Sequence, residues 1–206
     1  MKILALELST VRGSVAWSDG DVIEKEWPND RQNSGPFFEN VKELIKTYGP
    51  PELIVVGLGP GSYAGVRIAI SAAIGLQAAH QSRLVGLPSI CAMSGEASAY
   101  YAVGDARRQT FFLARIEDRA LAREPELLSE TELRSRLDGD QPLPVLSSDR
   151  LPQFTQVRLE FPSAAQLARL ARDANRSLAE APLQPMYLRE PHITMPRKSI
   201  YPVVPS

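Results

Sequence analysis

Residues 53–87 constrain the chain most. An apolar run of strand length, residues 53–58, leads through the glycine-rich stretch GLGPGSYAG (57–65) into an apolar stretch of helix length, residues 65–79, and then into a second apolar strand at 84–87. A strand that is apolar throughout is buried on both faces, and strand, helix and strand in this order read as a parallel crossover. The helix carries one charged residue, Arg67, so it has almost no face suited to water. One side can pack on its own sheet. The other must meet either a second lobe or a partner.

The flanking segments place this unit in an α/β lobe. Residues 2–8 and 14–18 read as strands of a hairpin, turning through Ser9, Thr10 and Gly13, and residues 23–27 add a third strand. Phe37, Val41, Leu44, Ile45 and Tyr48 share one helical face until Gly49-Pro50-Pro51 ends it, and a short helix is expected over 88–97. The opening then recurs: a strand at 99–103, a turn carrying Asp105, Arg107 and Arg108, and a strand at 110–116 echo the strand, acid, turn and strand around Glu7. Helices are expected at 130–137 and 163–174. The reading is α/β with two similar lobes, 1–98 and 99–190, and a proline-containing tail, 191–206, on the surface or without fixed structure.

Composition narrows the chemistry. The chain has 206 residues, 44% of them hydrophobic, enough for one domain or two small lobes. Lys and Arg number 23 against 24 for Asp and Glu, a net charge of -1, so no overall basic field draws nucleic acid or anionic membrane, while local patches stay open. Cys91 is the only cysteine, which excludes an intramolecular disulfide or a thiolate metal cluster and fits a reducing cytoplasm. Glu7 interrupts the apolar N-terminal run, and residues 68–79, with Ser71 and Gln77, fall short of the ~20 residues that cross a bilayer. A cytoplasmic protein with no membrane partner is expected.

The glycine-rich loop admits three phosphate-binding readings. A Walker-type loop needs a lysine before Ser or Thr, and none occurs between Lys46 and Lys198. Gly59, Gly61 and Ala64 fit the dinucleotide pattern, but the strand at 84–87 ends in Pro88-Ser89, where a carboxylate should hold ribose. A cradle of backbone amides at the helix start needs only glycines and a dipole. Against it stands a tight strand-to-helix turn with Ser62 as cap, the favoured reading for this chain alone. Candidate phosphate or anion contacts are Glu7, Ser9, Gly59, Gly61, Ser62, Asp105 and Arg107. His80 and His192 lie too far apart to form a zinc-type pair, and neither catalytic nor metal-ligating residues are assigned.

Five segments, MKILALELST, GLGPGSYAGVRIAISAAIGLQ, VGLPSI, GDARRQTFFLA and PMYLRE, in this order and spacing, resemble the bacterial TsaB (YeaZ) family. The resemblance implies two lobes of the actin-like ATPase (ribonuclease H-like) superfold. It also implies a catalytically silent partner in making threonylcarbamoyladenosine in tRNA, paired with the enzyme TsaD and completed by the ATPase TsaE. This chain lacks the HxxxH pair of the enzyme relative. Carried over by position, the partner surface falls on two helices: Phe37, Val41, Leu44 and Ile45 on the first, Arg67, Ile70, Ile74 and Gln77 on the second. No cofactor is expected on this chain alone, with ATP confined to the assembled complex, tRNA reached indirectly, and a homodimer when the chain is isolated. Departures from the family pattern are Glu7 for Asp, Tyr63-Ala64 for Phe-Thr, and the stretch 33–38. The rival readings are an independent small-molecule kinase, which needs a second glycine-rich loop although only Gly139 follows Gly104, and an M22-like metallopeptidase, which needs a metal site.

Overall fold

The structure, a computed structural model, describes residues 1–29, 33–138, 143–173 and 175–189. The tail expected at 191–206 lies outside the described residues. The chain opens with β1 (Ile3–Glu7), β2 (Arg12–Asp19) and β3 (Asp21–Pro28), an antiparallel meander. Helix α1 (Gly35–Tyr48), β4 (Leu53–Gly57), α2 (Tyr63–His80) and β5 (Arg83–Leu87) follow, with β4 parallel to both β1 and β5. The crossover read from residues 53–87 is therefore present.

Alternation along the strands feeds two cores. Leu4, Leu6, Ile54 and Val56 face α1 and α2, where they meet Phe37, Val41, Leu44, Val66 and Ile70. Ile3, Ala5, Val55 and Val85 face the other way, which is why β1 and β4 carry no polar side of their own until Glu7.

The second sheet repeats the plan. β6 (Tyr100–Asp105) and β7 (Thr110–Glu117) form a hairpin extended by the short strands β8 (Ala120–Leu121) and β9 (Glu126–Ser129). Helix α3 (Glu130–Leu137), capped by Ser129 and Glu132 in a reciprocal box, leads on to β10 (Val145–Ser147) and β11 (Val157–Leu159), which run parallel to β6 and to each other. Glu7 and Asp105 both end the first strand of a hairpin, as the echo in sequence anticipates. The repeat is incomplete: β10 and β11 are joined without a helix, so α2 has no counterpart in the second lobe.

Two expectations are corrected. The helix at 88–97 is only a 3-10 turn, Ser89–Cys91, after which the chain runs straight across to pair Met93 with Pro162 and donate Ser94 N–H to Phe161 O. Residues assigned to the second lobe also return to the first. Helix α4 (Ala164–Ala171) covers the free face of the first sheet through Leu167, Ala168 and Leu170, and β12 (Ala179–Glu180) adds to the edge at β5. The return is held by hydrogen bonds at both ends of α4. Glu24 on β3 accepts from Ser163 Oγ (2.9 Å) and Ala165 N–H (3.0 Å), Ser14 Oγ accepts from Ala164 N–H (2.8 Å), and Arg172 donates to Ser18 Oγ. A boundary at residue 98 thus describes the sheets and not the packing.

Candidate functional site

The two hairpin turns face each other across a cleft of about 240 Å³. Ser9, Thr10 and Val11 come from the first turn, Asp105 and Arg107 from the second, and Pro60 to Tyr63 from the glycine-rich loop. The far wall is Ser148 and Asp149, directly after β10, and the strap of residues 185–189 crosses the mouth. Met186 N–H donates to Leu58 O (2.8 Å), while Leu183 and Leu188 pack against cores in the first and second lobes respectively, so the strap joins both.

Five of the seven candidate anion contacts line this cleft: Ser9, Gly61, Ser62, Asp105 and Arg107. Two do not. Gly59 is turned back, with φ near +90°, its N–H on Ser89 Oγ and its carbonyl on Ser89 N–H. Glu7 is fully buried beneath Gly57, where any Cβ would overlap its Oε2. Its Oε1 accepts from Ser9 N–H (2.6 Å), whereas Oε2 has no hydrogen-bond partner. Burial pushes the carboxyl above its ordinary value, partly offset by the neighbouring Ser9 and Ser89.

The glycines themselves have a packing cause. A Cβ at Gly61 would overlap Ser9 O and one at Gly65 would overlap Leu8 O, because the start of α2 lies directly on the end of β1. Ser62 N–H is taken by Ser9 O (2.6 Å), and Ser62 Oγ accepts from Gly65 N–H to cap the helix. The loop spends these groups on its own chain, and the turn reading outweighs the amide cradle.

The second hairpin turn is tighter still. Arg107, Arg108 and Gln109 all have φ between 54 and 66°, a left-handed run that L-residues rarely adopt. Asp105 anchors it, accepting Arg107 N–H (2.7 Å) and pairing with the Arg107 guanidinium (3.2 Å), while Asp149 Oδ2 accepts Asp105 N–H (2.9 Å). Asp149, Tyr63 and Tyr187 were missed from sequence. Asp149 follows β10, a strand too short to leave a pattern in the sequence, so no signal there marked it.

The predicted partner surface divides. Phe37, Val41, Leu44 and Ile70 are buried in the chain's own core and are not available to a partner, whereas Ile45 is packed against that core but only partly buried. Arg67 and Ile74 remain on the surface, with Gln77 half-buried. Ile74 is 50% exposed and stands among the exposed small residues Ser71, Gly75 and Ala78. The α2 helix is thus apolar outside as well as inside. Cys91 is buried, its thiol pushed up to about 12 chiefly by burial, which leaves no thiolate at neutral pH. Among the described residues, no three of His, Cys, Asp or Glu stand together as a metal site, and no helix is long and apolar enough to cross a membrane.

Comparison with known proteins bears out the resemblance read from the sequence. The family model described as "TsaD: tRNA N6-adenosine threonylcarbamoyltransferase" matches residues 40–124. The "tRNA threonylcarbamoyladenosine biosynthesis protein TsaB" of Escherichia coli (strain K12) is 31% identical over 99 residues, 46% of this chain and 43% of that protein, so the match spans less than half of the curated relative. Among solved structures, an uncharacterized protein with similarity to peptidase YeaZ from Pseudomonas aeruginosa superposes with a TM-score of 0.72 at 23% identity, covering 91% of this chain and 99% of that one. YeaZ from Pseudomonas aeruginosa gives 0.65 at 21% identity, over 83% and 91%. The fold is that of these YeaZ structures, an α/β arrangement built on two sheets.

Proposed function

We propose that the chain is a non-catalytic subunit that binds and activates a TsaD-type enzyme in the threonylcarbamoyladenosine modification of tRNA. The observation that carries the reading is the outer face of α2, where Ile74 lies half exposed beside Ser71, Gly75 and Ala78 on a helix whose inner face is already buried. An apolar stripe of this kind is covered in a working assembly. Likeness to TsaB names the process and the YeaZ fold supplies the scaffold. The family model that matches belongs to the transferase itself. The sequence, however, contains only His80 and His192 and so lacks a closely spaced histidine pair for metal.

In this reading the chain holds no cofactor by itself. ATP enters with the assembled complex and a TsaE-type ATPase, and the work is cytoplasmic. The kinase alternative is weakened because the loop glycines serve backbone contacts with Leu8 and Ser9, and the metallopeptidase alternative rests on the wording of one neighbour's description, while no metal-type cluster of His, Cys, Asp or Glu stands among the described residues. Reconstitution tests the proposal: purified TsaD-type enzyme should co-purify with this chain and modify tRNA only, or much faster, in its presence. Equal modification without the chain overturns it.

A further inference from the structure

The mouth of the cleft carries an exposed aromatic pair and an arginine cluster that the subunit role leaves unused. Tyr63, at the start of α2, and Tyr187, on the strap, lie with ring centroids 5.8 Å apart and are 52% and 43% exposed. Arg67 Nη1 donates to the Tyr63 hydroxyl, and its guanidinium covers one face of that ring, so the side chain is held in place before any ligand arrives. Arg189 follows on the strap. A second depression shares Asp105, Arg107 and Asp149 with the cleft and is lined by Arg108 and Arg150.

Several guanidinium groups without an acidic partner gather at this surface, although single ones such as Arg158 and Arg169 occur elsewhere. Elsewhere Arg12, Arg83, Arg115, Arg123 and Arg134 each pair with a glutamate. Among the described residues, Arg108, Arg150 and Arg189 have no such partner; of the two carboxylates here, Asp105 is matched to Arg107 and Asp149 accepts Asp105 N–H, which leaves three guanidinium groups against one carboxylate. In a chain of net charge -1 this is a local basic track beside a stacking platform.

We propose that this mouth binds a single-stranded segment of RNA directly, with a base stacked on Tyr187 and Tyr63 and neighbouring phosphates on Arg108, Arg150 and Arg189. Stacking on aromatics joined to an arginine-lined path is how proteins hold single strands without reading sequence. The choice of RNA over DNA rests on the proposed function. Direct contact goes beyond it, since there the tRNA reaches this chain only through the enzyme.

The test is fluorescence anisotropy of the full chain with a labelled oligouridine about ten nucleotides long. Binding should weaken with salt at a log–log slope near -2, about 0.7 per phosphate for three contacts. Tyr187→Ser should weaken it by about fivefold or more, and Tyr187→Phe should retain it. The double variant Arg108→Glu, Arg150→Glu should weaken it and make the salt slope shallower. These three residues lie off the outer face of α2, so enzyme co-purification should survive in every variant. No binding at low salt, or binding indifferent to both the serine and the double variant, overturns the inference. A double variant that loses the enzyme and keeps RNA would put a protein at the mouth, and also overturns it. If the wild-type chain binds RNA as described but never the enzyme, the inference stands and the proposed function falls.

Discussion

Glu7 occupies the least comfortable position in the chain: a carboxyl buried at the end of β1 with Oε2 unpartnered. Because burial raises its folded-state value above the ordinary 4.5, the folded protein binds this proton more tightly than the unfolded chain. Stability therefore falls as pH rises from about 4.5 to the raised value, and the cost persists above it. Glu7→Gln, which keeps an oxygen for Ser9 N–H, should raise Tm at neutral pH and flatten its fall as pH rises above 4.5, as read by thermal melts across a pH series. A lower Tm at pH 7 would contradict this. Ile70 and Ile74 show the limit of sequence at this scale. A helix apolar all round has no preferred face, so one-turn neighbours could not be assigned to core or surface. The structure places Ile70 against the sheet and leaves Ile74 outside. Ile74→Glu should fold normally, with circular dichroism and Tm near wild type, yet lose enzyme binding by about tenfold or more. Ile70→Glu should fail to fold, through an unpaired buried charge.

Among the elements, α4 is the one whose place could not be read. Its amphipathic pattern predicted a helix within a residue or so of the observed start, but nothing local says which sheet it covers. That depends on Glu24 and Ser14, some 140 and 150 positions earlier. Glu24→Ala removes the acceptor for Ser163 Oγ and Ala165 N–H at a helix N-terminus and should cost about 1–2 kcal/mol, seen as a lower denaturant midpoint with unchanged slope. By contrast α2, β4 and β5 were legible because their apolar lengths and intervening glycines leave one arrangement. Gly61 and Gly65 are required by Ser9 O and Leu8 O, a packing demand that in sequence cannot be told from a phosphate cradle. The short strands β8, β10, β11 and β12 lack the length for any periodic signal and pair only because neighbours offer an edge.

For the molecule as a whole, the duplication was visible in the two hairpins, while the missing counterpart of α2 and the return of α4 were not, since both are facts of tertiary packing. The apolar outer face of α2 should be covered even without the enzyme. Sedimentation at micromolar concentration should show a homodimer that Ile74→Glu converts to monomer, and a wild-type monomer would contradict this. The return of α4 also sets an order of events during synthesis. Ile3, Ala5, Val55 and Val85 leave the ribosome early, but the residues that cover them, Leu167 to Leu170, are made about eighty positions after the last of these strands. Until then one side of the nascent sheet stays wet, and a ribosome-released fragment ending near residue 98 should be protease-sensitive and bind a hydrophobic dye, although it contains every strand of the central β-meander and crossover. A chain built this way is committed only near its end, so its first half gains a stable shape from its last quarter.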